Sequence, residues 1–217
     1  MWILKNFKDL LEYIQSNSLS SCNSIKTFEF STLYTSIPHS KLKDKLKELV
    51  LLCFVKKNGQ RRYKYLVLGR DKFYFVKDHS DSNKKFSETD IIKMLDFLID
   101  NIFVTFRGRV FQQTVGIPMG TNCAPLLADL FLYYYEADIM QELLRKKDNK
   151  LALSFNSTFR YIDDVLSLNN SKVGDYVERI YPIELVEIND TTDTVKSASY
   201  LDYHLEIDNE ARLKTKL

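Results

Sequence analysis

Two aspartates side by side, Asp163 and Asp164, follow Tyr161-Ile162 in a stretch that is otherwise apolar. Phe159-Arg160 precede them and Val165-Leu166-Ser167-Leu168 follow, so β-forming residues run into an acidic corner and leave it again. Adjacent carboxylates repel each other and are disfavoured in apolar surroundings, and a cation relieves both penalties. A hairpin with Asp-Asp at its tip aims at least one carboxylate at a divalent metal, the arrangement that two-metal nucleotidyl transfer requires. The same residues also suit a solvated surface turn, where aspartate is favoured for its own backbone hydrogen bonding.

A second constellation lies one helix upstream. Residues 113 to 125 read Gln-Thr-Val-Gly-Ile-Pro-Met-Gly-Thr-Asn-Cys-Ala-Pro, with Gly116 and Gly120 around Pro118. Such a loop is stiff yet poor in side chains, so its backbone can approach a flat or charged partner. The helix that follows presents a positive dipole end suited to phosphate. Tight packing is the competing reading. A third stretch is basic and aromatic: Lys56, Lys57, Arg61, Arg62, Lys64, Arg70, Lys72 and Lys77 face the single acid Asp71 and interleave with Tyr63, Tyr65, Phe73, Tyr74 and Phe75. That mixture suits a nucleic-acid backbone with stacked bases. It equally suits a solvated hairpin whose charges protect a sheet edge.

The elements that must position these residues follow from periodicity. Residues 3 to 15 place Leu4, Phe7, Leu10, Leu11 and Ile14 on one helical face, closed by Ser16 and Asn17. Residues 25 to 30 read as a strand, and a helix starting near Pro38 continues through Val50. A hairpin is expected over 62–77, turning at Gly69-Arg70-Asp71. Ser87 and Asp90 form a capping box for a helix carrying Ile91, Leu95, Leu98 and Ile102. A short hairpin from Phe103 to Gln113 turns near Gly108, and a long helix runs from Cys123 to about Lys147, entered at Pro125. After the Asp-Asp hairpin come a helix at Val173–Ile180 and strands near 182–188 and 196–207. Helices and antiparallel strands intermixed in this way define an α+β fold.

At 217 residues the chain is expected to be one domain with an insertion at about 54–101. Hydrophobic residues make up 45% and charged residues 28%, enough for a core and a soluble surface. A net charge of +2 says little about partners, so the local basic stretch carries that inference. Cys22, Cys53 and Cys123 are odd in number and far apart, which argues against a disulfide framework or a zinc site and for a reducing compartment. His39, His79 and His204 are scattered. The N-terminus is broken by charge too early for a signal peptide, and no apolar run approaches a membrane span.

Gly116-Ile117-Pro118-Met119-Gly120, then a helix, then Tyr161-Ile162-Asp163-Asp164 is similar to motifs B and C of reverse transcriptases. Upstream, Phe28-Glu29-Phe30-Ser31-Thr32-Leu33-Tyr34-Thr35-Ser36-Ile37-Pro38-His39 resembles motif A. Three motifs in this order most resemble Penelope-like retroelement reverse transcriptases, over nearly the whole chain. The resemblance implies a polymerase palm with an antiparallel sheet packed on helices, and an RNA-directed DNA polymerase using Mg²⁺ (or Mn²⁺), deoxynucleoside triphosphates, a DNA primer and an RNA template. It implies metal ligation and catalysis by Glu29, Asp163 and Asp164, and a nucleotide site formed by Tyr34, Pro118, Met119 and Gly120. Tyr34 would exclude a 2′-hydroxyl. Lys196 is a loose match to the family's motif D lysine, and an exposed strand lysine is the better reading. Work on nuclear DNA is the implied setting.

Two departures qualify that expectation. The family's motif A ligand is aspartate, whereas this chain has Glu29, whose extra methylene moves the oxygens by more than about 1 Å, a displacement able to cost about a hundredfold in rate. Few residues precede Glu29 and few follow the last expected strand, so fingers and thumb are expected to be largely missing. Weak or absent activity in the isolated chain is therefore expected. The alternatives are a non-catalytic nucleic-acid-binding remnant and a non-functional fragment.

Overall fold

The computed structural model describes residues 2–16, 21–55, 63–77 and 84–216. They divide into two compact units, one comprising Met1–Ser36 with Asn122–Leu217, the other Ile37–Thr121. The first unit opens with β1 (Trp2–Ile3), α1 (Phe7–Gln15), β2 (Ile25–Phe30) and the single turn of α2 (Leu33–Ser36). The second unit contains α3 (His39–Cys53), β3 (Tyr65–Leu68), β4 (Phe73–Val76), β5 (Lys85–Phe86), α4 (Glu88–Asp100), β6 (Phe103–Phe106) and β7 (Arg109–Gln112). The first unit resumes with α5 (Ala124–Arg145), α6 (Asn149–Ser154), β8 (Thr158–Tyr161), β9 (Asp164–Leu168) and α7 (Val173–Ile180). It ends with β10 (Ile188–Asp190), β11 (Ser197–Tyr200), β12 (Tyr203–Ile207) and β13 (Leu213–Lys216).

In the first unit a sheet of order β1-β8-β9-β2-β10 is antiparallel throughout except at β1–β8. A second antiparallel sheet runs β11-β12-β13. Side chains alternate across a strand, so Ile25, Phe159, Leu166 and Leu168 share one face. They join Leu10 of α1 with Ala198, Tyr200, Leu205 and Ile207 of the second sheet in one core. Arg160, Val165 and Phe30 belong to the opposite face. There Arg160 meets α5 through Glu136 and Asp129, and Phe30 meets Tyr181 beyond α7.

The second unit buries Leu42, Leu46, Phe54, Val67, Ile99 and Ile102. Lys43 of α3 pairs with Asp100 of α4 at 2.8 Å. The capping box forms, with Ser87 Oγ accepting from the Asp90 N–H and the Asp90 carboxylate accepting from the Ser87 N–H.

Three local expectations are corrected. The first helix starts at Phe7 because Asn6 caps it, accepting from the Lys8 N–H; Leu4 is extended instead and its N–H donates to the Arg160 carbonyl at 2.8 Å. Asn17 lies outside the described residues. Residues 182–187 are not strand: the Pro182 carbonyl accepts from the N–H groups of both Leu185 and Val186, a helical turn, and β10 begins at Ile188. Pro38 is the residue before α3 rather than its first member. No helix among the described residues is long and apolar enough to cross a membrane.

Candidate active site

The hairpin β8–β9 turns in two residues. Tyr161 sits directly opposite Asp164, leaving Ile162 and Asp163 as the loop, so Asp164 is the first residue of β9 rather than part of the tip. Ile162 has φ +52° while Asp163 keeps a negative φ. A left-handed backbone at the first loop position normally selects glycine, and a β-branched residue there is an outlier that stores about 1–3 kcal/mol. Both loop carbonyls are held. Arg160 Nη1 donates to the Ile162 carbonyl at 3.0 Å, and the Phe30 N–H donates to the Asp163 carbonyl at 2.9 Å.

That second bond joins the turn to β2. The register places Glu29 opposite Asp164, and Asn189 of β10 opposite Glu29. Tyr161, Asp164, Glu29 and Asn189 therefore form one row across four strands on one face, with directly opposed Cβ atoms about 4.5–5.5 Å apart. Glu29 and Asn189 are exposed, while Asp163 and Asp164 are partly buried. Burial first, then the negative charges of Asp163 and Glu29, push the Asp164 carboxyl up to about 6. Asp163 also bears on Tyr34 of α2, whose phenol is pushed up to about 12 by burial and then by Asp163 and Asp129. The structure thus brings Glu29, Asp163, Asp164 and Tyr34 together.

Among the described residues no group of three or more histidine, cysteine or carboxylate side chains closes into a metal-ligand set. Glu29, Asp163 and Asp164 adjoin as an open acid cluster instead of a cage. Such a cluster fits Mg²⁺, which keeps several waters and is bound through one or two carboxylates plus substrate phosphates.

Beneath the turn lies a feature that gave no sequence signal. Arg160 is fully buried, and each of its five N–H donors has an acceptor. Nε meets Glu136 Oε1 at 2.6 Å, Nη1 meets Asp129 Oδ1 at 2.6 Å besides the Ile162 carbonyl, and Nη2 meets the Asp129 carbonyl at 3.1 Å and Glu136 Oε2 at 3.5 Å. Tyr181 Oη donates to Glu136 Oε1 at 2.9 Å. The Tyr181 ring meets Phe30 edge-on, with centroids 4.7 Å apart.

The remaining sequence-predicted residues lie in the second unit. In the glycine loop the Gly116 N–H donates to the Ile37 carbonyl at 2.7 Å, and His39 Nε2 lies 2.8 Å from the Gly116 carbonyl. Pro118 is buried, whereas Met119 and Gly120 are exposed. Gly120 has φ +88°, which favours glycine because a side chain there is strained, and open space where a Cβ would stand. Lys64, Arg70 and Lys72 are exposed on and around the β3–β4 hairpin, with Lys64 Nζ 5.4 Å from the Tyr65 ring centre. Lys56, Lys57, Arg61 and Arg62 lie outside the described residues.

No family model matches the chain. Over 107 residues, 48% of this chain, it is 24% identical to the telomerase reverse transcriptase of Oxytricha trifallax, covering 10% of that protein. Among solved structures it is similar to apo telomerase from Candida tropicalis truncated from its C-terminal domain, with a TM-score of 0.60 at 11% identity, over 99% of this chain and 40% of that one. It is also similar to telomerase from Candida albicans in complex with a TWJ fragment of telomeric RNA, with a TM-score of 0.59 at 16% identity, over 98% of this chain and 35% of that one. The chain spans well under half the length of these relatives. It is a mixed α and β protein with antiparallel sheets, similar in fold to telomerase over nearly its whole length and in sequence to a telomerase reverse transcriptase over about half.

Proposed function

We propose that this chain is the palm-like core of an RNA-directed DNA polymerase of Penelope-like retroelement type, with Glu29, Asp163 and Asp164 as its acid centre. The observation that carries the reading is the placement of Glu29 directly opposite Asp164, with Asp163 adjoining in the turn. Acids distant in sequence converge at one end of one sheet, and the telomerase-like fold supports the reverse-transcriptase part of the reading. Glu29 and Asp164 would hold the metal from the sheet face and Asp163 from the turn. When bound, Mg²⁺ (or Mn²⁺) supplies charge neutralisation at the triphosphate and lowers the pKa of the primer 3′-hydroxyl. Tyr34, near Asp163, would bar a 2′-hydroxyl on the incoming nucleotide. The backbone of the loop Pro118-Met119-Gly120 would approach the nascent base pair. The cations Lys64, Arg70 and Lys72, with Lys56, Lys57, Arg61 and Arg62, would hold the phosphate backbone of template and primer. RNA bound to the Candida albicans telomerase supports an RNA partner. A nuclear setting would accompany a retroelement enzyme of this kind.

The test is primer extension by the full chain on an RNA template with deoxynucleotides and Mg²⁺ or Mn²⁺. Metal-dependent extension that disappears in Asp163→Asn supports the reading; extension unchanged in that variant overturns it. Glu29 in the aspartate position and the open carboxylate cluster favour a second reading, nucleic-acid binding without turnover. Its signature is primer–template affinity falling steeply with salt while no nucleotide is added.

A further inference from the structure

We propose that Arg160 is a positioning residue for the acid turn, resting on the reading above: it holds the Ile162 peptide in a backbone state the sequence would otherwise leave, and so fixes where Asp163 and Asp164 present their carboxylates. The loop consists of two peptides, and each carbonyl has one dedicated donor. Arg160 serves Ile162 and the Phe30 N–H serves Asp163. These donors are themselves joined through the interior. Arg160 is bound by Glu136, Glu136 accepts from Tyr181 Oη, and the Tyr181 ring packs edge-on against Phe30. The contacts form a closed circuit that begins and ends at the turn, passing through α5, the residue after α7, and β2 beside Glu29.

Stability alone is a poor account of this arrangement. A buried ion pair is commonly no better than well-packed apolar residues of the same volume, because desolvation offsets the attraction. Four of the five guanidinium donors bind α5 and anchor the group; the fifth reaches the one residue of the hairpin with a left-handed backbone. Lysine carries the same charge but gathers its three N–H donors on one nitrogen, without the planar fork, so it cannot reach Glu136, Asp129 and the Ile162 carbonyl from the separate positions that the guanidinium nitrogens occupy.

The experiment compares the full chain with Arg160→Lys by native-state amide exchange, without metal, and then by Mn²⁺ titration. Positioning predicts that exchange at the Phe30 and Asp164 amides rises at least about tenfold beyond the rise at the far end of β9, near Leu168, and that Mn²⁺ affinity falls about tenfold or more. A uniform rise along the hairpin, tracking the loss of global stability, overturns the proposal. The unaltered chain failing to bind Mn²⁺ while Arg160→Lys still loosens the turn selectively refutes the metal reading and leaves the clamp standing. If Arg160→Lys does not fold, Tyr181→Phe removes one link of the circuit with little change of shape. It should loosen the same two amides by a smaller factor, and no selective change there sinks the proposal.

Discussion

Replacing Asp164 with asparagine should make the protein more stable at neutral pH, and the gain should vanish in acid. The carboxyl titrates at about 6 in the fold against an ordinary 3.8, chiefly because of burial and then because Asp163 and Glu29 stand beside it. Asp164 therefore holds its proton more tightly folded than unfolded. Its contribution favours the fold fully below pH 3.8 and is lost as pH rises through 6. At 1.36 kcal/mol per tenfold in proton affinity the difference amounts to about 3 kcal/mol, and solvent screening of a partly buried group reduces that to about 1–2 kcal/mol. For a chain of this size each kcal/mol moves the melting temperature by about 2–4 °C, so Asp164→Asn should melt about 2–8 °C higher at pH 8. The assay is thermal melting of both proteins in steps from pH 4 to 8. The gap should be near zero at pH 4 and open around pH 5 to 7; on the proposed metal reading it should shrink again at pH 8 when millimolar Mg²⁺ is added, since the site with all three carboxylates gains more from the cation than the site lacking one. A gap that is flat with pH, or a variant less stable at pH 8, would refute the idea that the acid cluster stores electrostatic strain.

Glu29→Asp should raise the rate of primer extension about a hundredfold by shortening the side chain opposite Asp164, and rates within threefold of each other would show that the methylene is immaterial. Glu136→Ala should destabilise the first unit by about 3–5 kcal/mol in urea, because Arg160 loses one of its two carboxylates and Tyr181 Oη loses its acceptor. Gly120→Ala should lose about 1–2 kcal/mol in the same assay through backbone strain alone, since φ is +88° and no atom blocks a methyl group.

Much of this architecture was legible because it is local. The alternation Thr27-Phe28-Glu29-Phe30 marks a strand, and Val173, Val177 and Ile180 mark one helical face. The convergence of Glu29 and Asp164 was legible only through the motif order, since register between distant strands leaves no trace in either segment. Leu4 shares the apolar spacing of Phe7 and Leu10, yet Asn6 caps the helix after it, and the N–H of Leu4 continues the edge pairing begun by β1. Arg160 reads in sequence as a polar break in a β run. Its partners Glu136 and Asp129 are a helix away, and Tyr181 is a helix away in the other direction, so nothing in the spacing announces a buried network. Asn189 joined the row for the same reason, by register rather than by motif.

The second unit is inserted between α2 and α5, and this sets an order of events during synthesis. Strand β2 emerges early, yet its partners β9 and β10 come only after the entire insertion and the long helix have been made. The inserted unit, whose hairpins pair neighbours in sequence, can collapse meanwhile. Until the ribosome delivers residue 168, the nascent chain carries a strand with Ile25, Phe28 and Phe30 uncovered and both hydrogen-bonding edges open, an invitation to a holdase or to a neighbouring chain.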